Sequence, residues 1–464
     1  MTGREEGKYS SSWEMNRVQE RRRGARWANA ADLRPITLSG GEGARLVLGN
    51  GAGRGRLGRT VLAAEPGQSV AIVGPTQSGK TTGLVVPSIL RWDGPILATS
   101  VKTDLLRDTL KWRRKVGRVW QFDPSGVTGM PGNAWSPLIQ ARTWNGARRV
   151  AAGLTEVAST ADLNSESEFW YATAAKLLAP LLFAAATDGR QIKDVIRWVD
   201  TQEIHEVSSI LAKAQVPEAL QAARATWLRD ERQRSSVYTT AETVLEPLSD
   251  VTQDGRAELI DPDALLDGPN TLYVCSPTHE QRRLRAVFVC LVKQVLEAAF
   301  SQAGRLGKPL DPPLLVVLDE AAHIAPLTDL DAVAATCVSY GVQLVTVWQD
   351  YAQINVRYGA RAATILNNHR AQIFLSGISD TQTLDQASHL VGDEEAIVPS
   401  ATWDHVGNRA TSEVRLRRPL LPPEELRCMR TGTGVLLYGS LPPVRLKLQP
   451  WWRNKRLLSR SRAR

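Results

Sequence analysis

The chain has 464 residues, 43% hydrophobic and 23% charged, which excludes a disordered or fibrous protein and predicts two or three domains. Its net charge of +9 is confined to the ends: residues 1–30 carry seven Lys/Arg against four Asp/Glu, and residues 451–464 carry six against none, leaving a neutral body. The four cysteines, Cys275, Cys290, Cys337 and Cys428, are too scattered for a disulfide framework or a zinc site. The longest apolar run, Leu177–Ala186, is too short to cross a bilayer, and no secretory signal is read at the N-terminus.

Residues 1–30, with the Arg21-Arg22-Arg23 cluster, read as a basic flexible N-terminal segment or a short helix. Residues 31–68 alternate apolar residues with glycines, around Leu46-Val47-Leu48 and Thr60-Val61-Leu62, and predict short strands or hairpins. Next comes the apolar strand Ser69–Val73, then Gly74, Pro75, Thr76, Gln77, Ser78, Gly79, Lys80 and Thr81, then a helix opening with Thr82 and Gly83. This is G-x-x-x-x-G-K-[ST] between a strand and a helix, the setting of a phosphate-binding loop. Backbone amides and the helix N-terminus would surround the phosphates of ATP, Lys80 would reach the β- and γ-phosphates, and Thr81 would hold Mg²⁺. Pro87 inside the helix predicts a kink or an early end, because its ring meets the carbonyl of Gly83 and it has no N–H to give.

Strands at Gly94–Thr99 and Arg118–Pro124, with a basic helix at Leu105–Val116 between them, continue a parallel α/β pattern. From 141 to 260 only helical spacing is found, as in Phe169, Trp170, Thr173, Ala174, Leu177 and Leu178. The α/β pattern resumes at Asn270–Ser276, Leu314–Leu318, Val342–Trp348 and Ala371–Ser376. Residues 393–420 are polar and read as a loop excursion, and 434–448 as a closing hairpin. The organisation is therefore a nucleotide-binding domain from 31–140 and 261–450, an all-α domain inserted at 141–260, and a basic C-terminal tail at 451–464. The tails would touch nucleic acid or an anionic membrane, or remain solvated.

The strand Leu314–Leu318 ends in Asp319-Glu320, which puts two carboxylates at the edge of the sheet where ligands bind. Asp319 would hold Mg²⁺ through water, and Glu320 would polarise the water that attacks the γ-phosphate. Gln349 ends the next strand and is expected beside Glu320, sensing the γ-phosphate or orienting the water, or else serving as a satisfied polar strand end. His323 reads as a second base or, preferably, as a structural histidine at a helix N-terminus.

These stretches together resemble the type IV coupling proteins, conjugative DNA-transfer ATPases of the FtsK/HerA class of RecA-like motors, and most closely the actinobacterial branch. The resemblance runs from about Leu46 to Trp452 and is carried by GPTQSGKTTGLVVP (74–87), TSVKTDLL (99–106), Phe122-Asp123-Pro124 with Trp135-Ser136-Pro137-Leu138, VVLDEAAHIAP (316–326), QLVTVWQDYAQ (343–353) and NNHRAQIFLSG (367–377). It implies an α/β, RecA-like P-loop NTPase with a central, mostly parallel sheet and an all-α insertion. It implies a ring of about six copies with ATP between neighbours, and transport of DNA, or a DNA–relaxase complex or other cargo, toward a membrane secretion channel. By the same match Lys80 and Thr81 bind phosphate and Mg²⁺, Asp319 and Glu320 form the second motif, and Gln349 is the sensor.

Three departures stand out. The family usually begins with transmembrane helices, and none is read here, so a cytoplasmic ring or one docked at the inner face of the membrane is expected. An arginine often precedes the glycine at Gly341, where this chain has Tyr340; Arg357, Arg361 and Arg370 are the candidates to act in its place. His323 stands where asparagine is common. Three functions remain open: a DNA-translocating ATPase for conjugation or secretion; a nucleotide-gated assembly or cargo-recruiting adaptor with slow, DNA-independent turnover; and a chromosome-partition or DNA-end-processing motor, which shares the core but would need a partner nuclease.

Overall fold

Strands buried on both faces read as continuous apolar runs, because helices cover each side of a parallel sheet. Seven such runs form the parallel part of an eleven-stranded sheet in a computed structural model that describes residues 24–38, 45–52, 58, 60–159, 165–249, 251, 257–403 and 409–463. The strands are β1 (Val47–Gly51), β2 (Val61–Ala63), β3 (Val70–Val73), β4 (Ile96–Ser100), β5 (Val119–Phe122), β6 (Thr271–Cys275), β7 (Leu314–Leu318), β8 (Val342–Trp348) and β9 (Ala371–Leu375). A separate pair, β10 (Asp393–Trp403) and β11 (Arg409–Pro419), precedes β12 (Thr433–Tyr438) and β13 (Val444–Lys447). The order is β2-β1-β13-β12-β9-β3-β8-β7-β4-β6-β5. From β9 to β5 all neighbours are parallel, whereas β12, β13, β1 and β2 add an antiparallel flank.

The phosphate loop leaves β3 into a π-helical turn, Thr81–Val85, that continues as α1 (Val86–Arg91). The wide turn is how the chain accommodates Pro87. The Val86 amide bonds the Thr81 carbonyl five residues back, so the backbone is spread where the proline ring would crowd the Gly83 carbonyl. Gly83 also admits Leu448: a methyl there would sit 2.8 Å from the Leu448 Cβ.

The helix α2 (Asp104–Val116) links β4 to β5. Between β5 and β6 come α3 (Trp144–Ser159), α4 (Ser165–Thr187), α5 (Ile192–Asp200), α6 (His205–Lys213), α7 (Pro217–Trp227), α8 (Glu231–Ser249) and the short α9 (Pro262–Leu266). Their apolar faces meet around Leu177, Leu181, Trp198 and Tyr238, all buried, and this cluster is continuous with one face of the sheet through Trp135, Phe122 and Phe288. Among the described residues two helices, Glu168–Thr187 and α10 (Arg285–Leu306), are long and apolar enough to cross a membrane; 61% and 67% of the most apolar 18-residue stretch of each is buried inside the protein, as expected of core helices.

The structure departs from the sequence reading at the polar stretch 393–420. It is an extended ribbon in which β10 and β11 pair along eleven residues each, from Asp393 opposite Pro419 to Trp403 opposite Arg409. The described residues 24–38 are packed, with Ala28, Leu33 and Ile36 buried and Trp27 under the Arg445 guanidinium at 4.5 Å. The Arg21-Arg22-Arg23 cluster lies outside the described residues. The C-terminal tail forms α16 (Lys455–Ser461), preceded in sequence by α11 (Leu330–Tyr340), α12 (Tyr351–Tyr358), α13 (Ala362–Asn367), α14 (Thr381–Val391) and α15 (Pro423–Cys428). In α16 Leu457 is buried, Arg460 donates to the Leu90 carbonyl at 2.8 Å and lies over the Trp112 ring, and Asn454 caps the N-terminus.

Candidate nucleotide site

Loops that leave the C-terminal ends of parallel strands converge on one edge of the sheet, and there an open α/β fold binds its ligands. Here the loops after β3, β4, β6, β7 and β8 enclose a cavity of about 530 Å³. Pro75, Thr76, Gln77, Ser78, Gly79, Lys80, Thr81 and Thr82 form one wall, and Asp319, Glu320 and Gln349 form the facing one. Gly74 sits at the end of β3 beneath the loop, its amide bonded to the Trp348 carbonyl at 3.1 Å.

The loop curls because Gln77 and Gly79 both take left-handed backbone conformations, φ 65° and 94°. Successive turns of that kind make a concave nest of amides suited to an anion. Lys80 is nearly buried and its ammonium donates to the loop's own carbonyls at Gly74 and Pro75. Burial lowers its pKa, and Glu320, Asp319 and Asp350 oppose that shift. The Ser78 hydroxyl is buried with no hydrogen-bond partner among the described residues.

Asp319 and Glu320 follow β7 directly. Burial, and then the neighbouring Glu320 charge, push the Asp319 carboxyl up to about 7, against the pull of Lys80. Glu320 has φ 58°, a strained conformation for a residue with a side chain. It is held by the turn that follows: the amides of His323 and Ile324 bond its carbonyl at 2.9 and 3.2 Å, and Ala321 bonds back to Val347. Its two carboxylate oxygens accept from the Gln349 amide nitrogen, at 3.2 and 3.4 Å. Gln353 accepts from the Gln349 backbone amide at 3.1 Å and reaches the His323 ring at 3.4 Å. His323 is exposed in the turn after β7 and lines the cavity, so the helix-terminal placement is corrected.

Four further polar residues face the same space, Lys102, Asp104, Thr278 and Gln281, beside the apolar Val101. Lys102 and Asp104 lie in the TSVKTDLL stretch, and Thr278 and Gln281 follow β6. The rule that strand C-terminal ends carry the site would have found them. The three arginines considered as substitutes at Tyr340 are engaged within the chain. Arg361 lies 3.5 Å from Asp331, Arg370 lies 3.8 Å from Glu65 at the opposite edge of the sheet, and Arg357 donates to the Pro326 carbonyl at 3.4 Å. Tyr340 itself packs on Phe300, ring centres 4.6 Å apart. No group of three or more His, Cys, Asp or Glu side chains is set to hold a metal among the described residues, so a cation here would need ligands from bound phosphates.

The family described as Type IV secretory system Conjugative DNA transfer matches residues 31–463. The chain is 26% identical over 416 residues to the conjugal transfer protein TraG of Escherichia coli, covering 78% of this chain and 61% of that protein. It is 23% identical over 422 residues to the protein VirD4 of Agrobacterium fabrum, covering 83% and 59%. The chain thus spans about three-fifths of the length of the curated relatives it matches. Among solved structures, the unbound bacterial conjugative coupling protein TrwBdeltaN70 superposes with a TM-score of 0.68 at 19% identity, covering 92% of this chain and 93% of that one. TrwB in complex with ADP and Mg²⁺ gives a TM-score of 0.67, also at 19% identity, covering 92% and 94%. These likenesses show the RecA-like fold with an all-helical domain. With nearly its whole length matched, the chain belongs to the type IV secretory system conjugative DNA transfer family.

Proposed function

We propose that this chain is an ATP-hydrolysing motor that moves DNA for conjugative transfer. The observation that carries the reading is the convergence of Lys80, Asp319, Glu320 and Gln349 on one cavity behind a phosphate loop. Its support is family membership, together with the TrwB structures described with an ATP analogue and with ADP and Mg²⁺.

The residues fit ATP and Mg²⁺. Lys80 gives its hydrogen bonds to loop carbonyls, the Ser78 hydroxyl has no partner among the described residues, and two adjacent carboxylates face each other's charge. Thr81 and Asp319 would hold the ion, which supplies charge neutralisation on the β- and γ-phosphates. Lys80 turns from the loop carbonyls to phosphate oxygens. Gln349 fixes the Glu320 carboxylate, so that Glu320 orients the attacking water and accepts its proton. Gln349 can give its amide to either Glu320 or a γ-phosphate oxygen. Hydrolysis therefore changes its partner, and β8 carries that change into the sheet.

The partners that follow are DNA, a relaxase or other secreted cargo, a component of the membrane secretion channel, and further copies in a ring of about six. The ring would work in the cytoplasm, at the inner face of the membrane. One observation favours a second reading, a nucleotide-gated assembly or cargo-recruiting adaptor. Tyr340, packed against Phe300 with the rings tilted, occupies the place where a charge acting on a neighbour's nucleotide is common.

The two readings separate in a strand-displacement experiment. A motor displaces an annealed third strand from duplex DNA in an ATP-dependent way and fails with Lys80→Ala. An adaptor assembles with nucleotide but leaves the third strand in place.

A further inference from the structure

An arginine is stable at a helix C-terminus and costly at an N-terminus, where the dipole is already positive. The 22-residue α10 begins with the opposite of what that rule favours. Arg282, Arg283 and Arg285 crowd its start, its N-cap is Leu284 with no side-chain cap, and its first turn holds no acid. Glu280 answers only one of the three charges, bonding Arg283 at 2.9 Å.

Arg285 is half-buried, and its Nε is fully buried with no hydrogen-bond partner among the described residues. Its charged neighbours are Arg357 and Arg282, both of which repel it. Neither Arg282 nor Arg285 has a carboxylate partner among the described residues. Arg357 comes from α12, tethered through the Pro326 carbonyl. The cluster is thus built from the loops after β6, β7 and β8, beside the wall of the nucleotide cavity that Thr278 and Gln281 supply. Arg282 and Arg285, like charges on a partly desolvated surface, cost stability unless an anion answers them.

We propose that Arg282 and Arg285, with Arg357 as the third charge, form a binding site for a phosphate group. The phosphate is a phosphodiester of the transported DNA or the terminal phosphate of a nucleotide on a neighbouring copy. The site rests on the motor reading above and adds to it the residues that would couple phosphate binding to the nucleotide cavity. A guanidinium fork matches the oxygens of a phosphate bidentately. The segment 277–284 runs without a break from the cavity wall to Arg285, so an anion drawn against the cluster pulls on Thr278 and Gln281.

The test uses the full chain, as wild type, Arg282→Gln/Arg285→Gln and Arg285→Lys. Binding of fluorescein-labelled single-stranded DNA is followed across a salt series. ATP turnover without DNA and ADP affinity are measured alongside, and the melting temperature is taken in phosphate-free buffer. For a DNA site, the double Gln variant lowers the salt slope by about 0.7 for each phosphate that is no longer neutralised. ADP affinity is unchanged and Arg285→Lys retains most of the binding. For a neighbour's nucleotide, the DNA slope stays and DNA-free turnover falls by about tenfold or more, in line with the loss of a charge that stabilises the transferring phosphate. In both cases the melting temperature of the free double Gln variant rises, because the repulsion is gone. The inference is overturned if slope and turnover both match the wild type, or if the melting temperature falls while they do. Wild-type chain whose turnover ignores DNA would count against the motor reading and leave the second arm to decide the site.

Discussion

His369 is buried to 2% exposure, in the turn before β9, and all its hydrogen bonds are to neutral groups. Its Nδ1 donates to the Ile365 carbonyl at 2.7 Å and its Nε2 accepts from the Thr346 hydroxyl at 3.0 Å. Thr346 in turn accepts from the Trp348 indole at 2.9 Å. Both Thr346 and Trp348 lie on β8, so the ring fixes the strand that presents Gln349. Burial holds its pKa down at about 4, against an ordinary 6.5. The unfolded chain therefore takes up a proton more readily than the folded one as the pH falls through 6.5. The contribution is intact above 6.5 and is lost progressively toward pH 4. From about pH 7.5 to about pH 5 the loss works out to about 2 kcal/mol by linkage. The assay is urea unfolding followed by tryptophan fluorescence at the two pH values, for the wild type and His369→Asn. Other titrating groups, Asp319 among them, cancel in the difference between the two proteins. The variant should lose about 2 kcal/mol less than the wild type on acidification. Equal pH dependence in the two proteins, within about 0.5 kcal/mol, would refute the argument.

Other substitutions probe other parts of the account. Arg113 is fully buried and donates to Thr271 Oγ1, Trp92 O, Gly94 O and Pro269 O at 2.6–3.0 Å. Arg113→Met strands these acceptors, and chemical unfolding should show a loss of about 3 kcal/mol. Gly83→Ala improves helix propensity but drives a methyl to 2.8 Å from the Leu448 Cβ; it should destabilise by about 1–2 kcal/mol, and a gain in stability would contradict the packing described. Glu320→Gln should bind ATP with wild-type affinity while turnover falls by about two orders of magnitude or more, measured by isothermal titration alongside a phosphate-release assay.

The parts of the fold with a dense local signal were legible. β3 and β7 are unbroken apolar runs closed by a phosphate loop and by two acids, and each lies where its pattern put it. The pairing of Gln349 with Glu320 followed from strand order alone. The ribbon of β10 and β11 was not legible, because its strands pair with each other, apart from the main sheet, and their polar sequences carry no sustained apolar alternation. The helix α16 was hidden for a related reason. Its anchors are one leucine, one arginine over an indole and one asparagine cap, and by composition it reads as a charged tail. Glu320 at φ 58° could not be read from sequence either. A glycine would have announced that turn, and a glutamate there is held by the surrounding hydrogen bonds. Pro87 predicted a disturbance correctly but not its form, since a π-helical turn keeps the helix going where a kink or an end was expected.

The central claim is that hydrolysis at Lys80, Asp319, Glu320 and Gln349 is coupled to DNA. Steady-state ATP hydrolysis by the wild type and by Lys80→Ala, with and without single- and double-stranded DNA, tests it most directly. DNA should raise wild-type turnover several-fold, and Lys80→Ala should abolish turnover under every condition. Wild-type hydrolysis that depends on Lys80 but proceeds at one rate with or without DNA would contradict it.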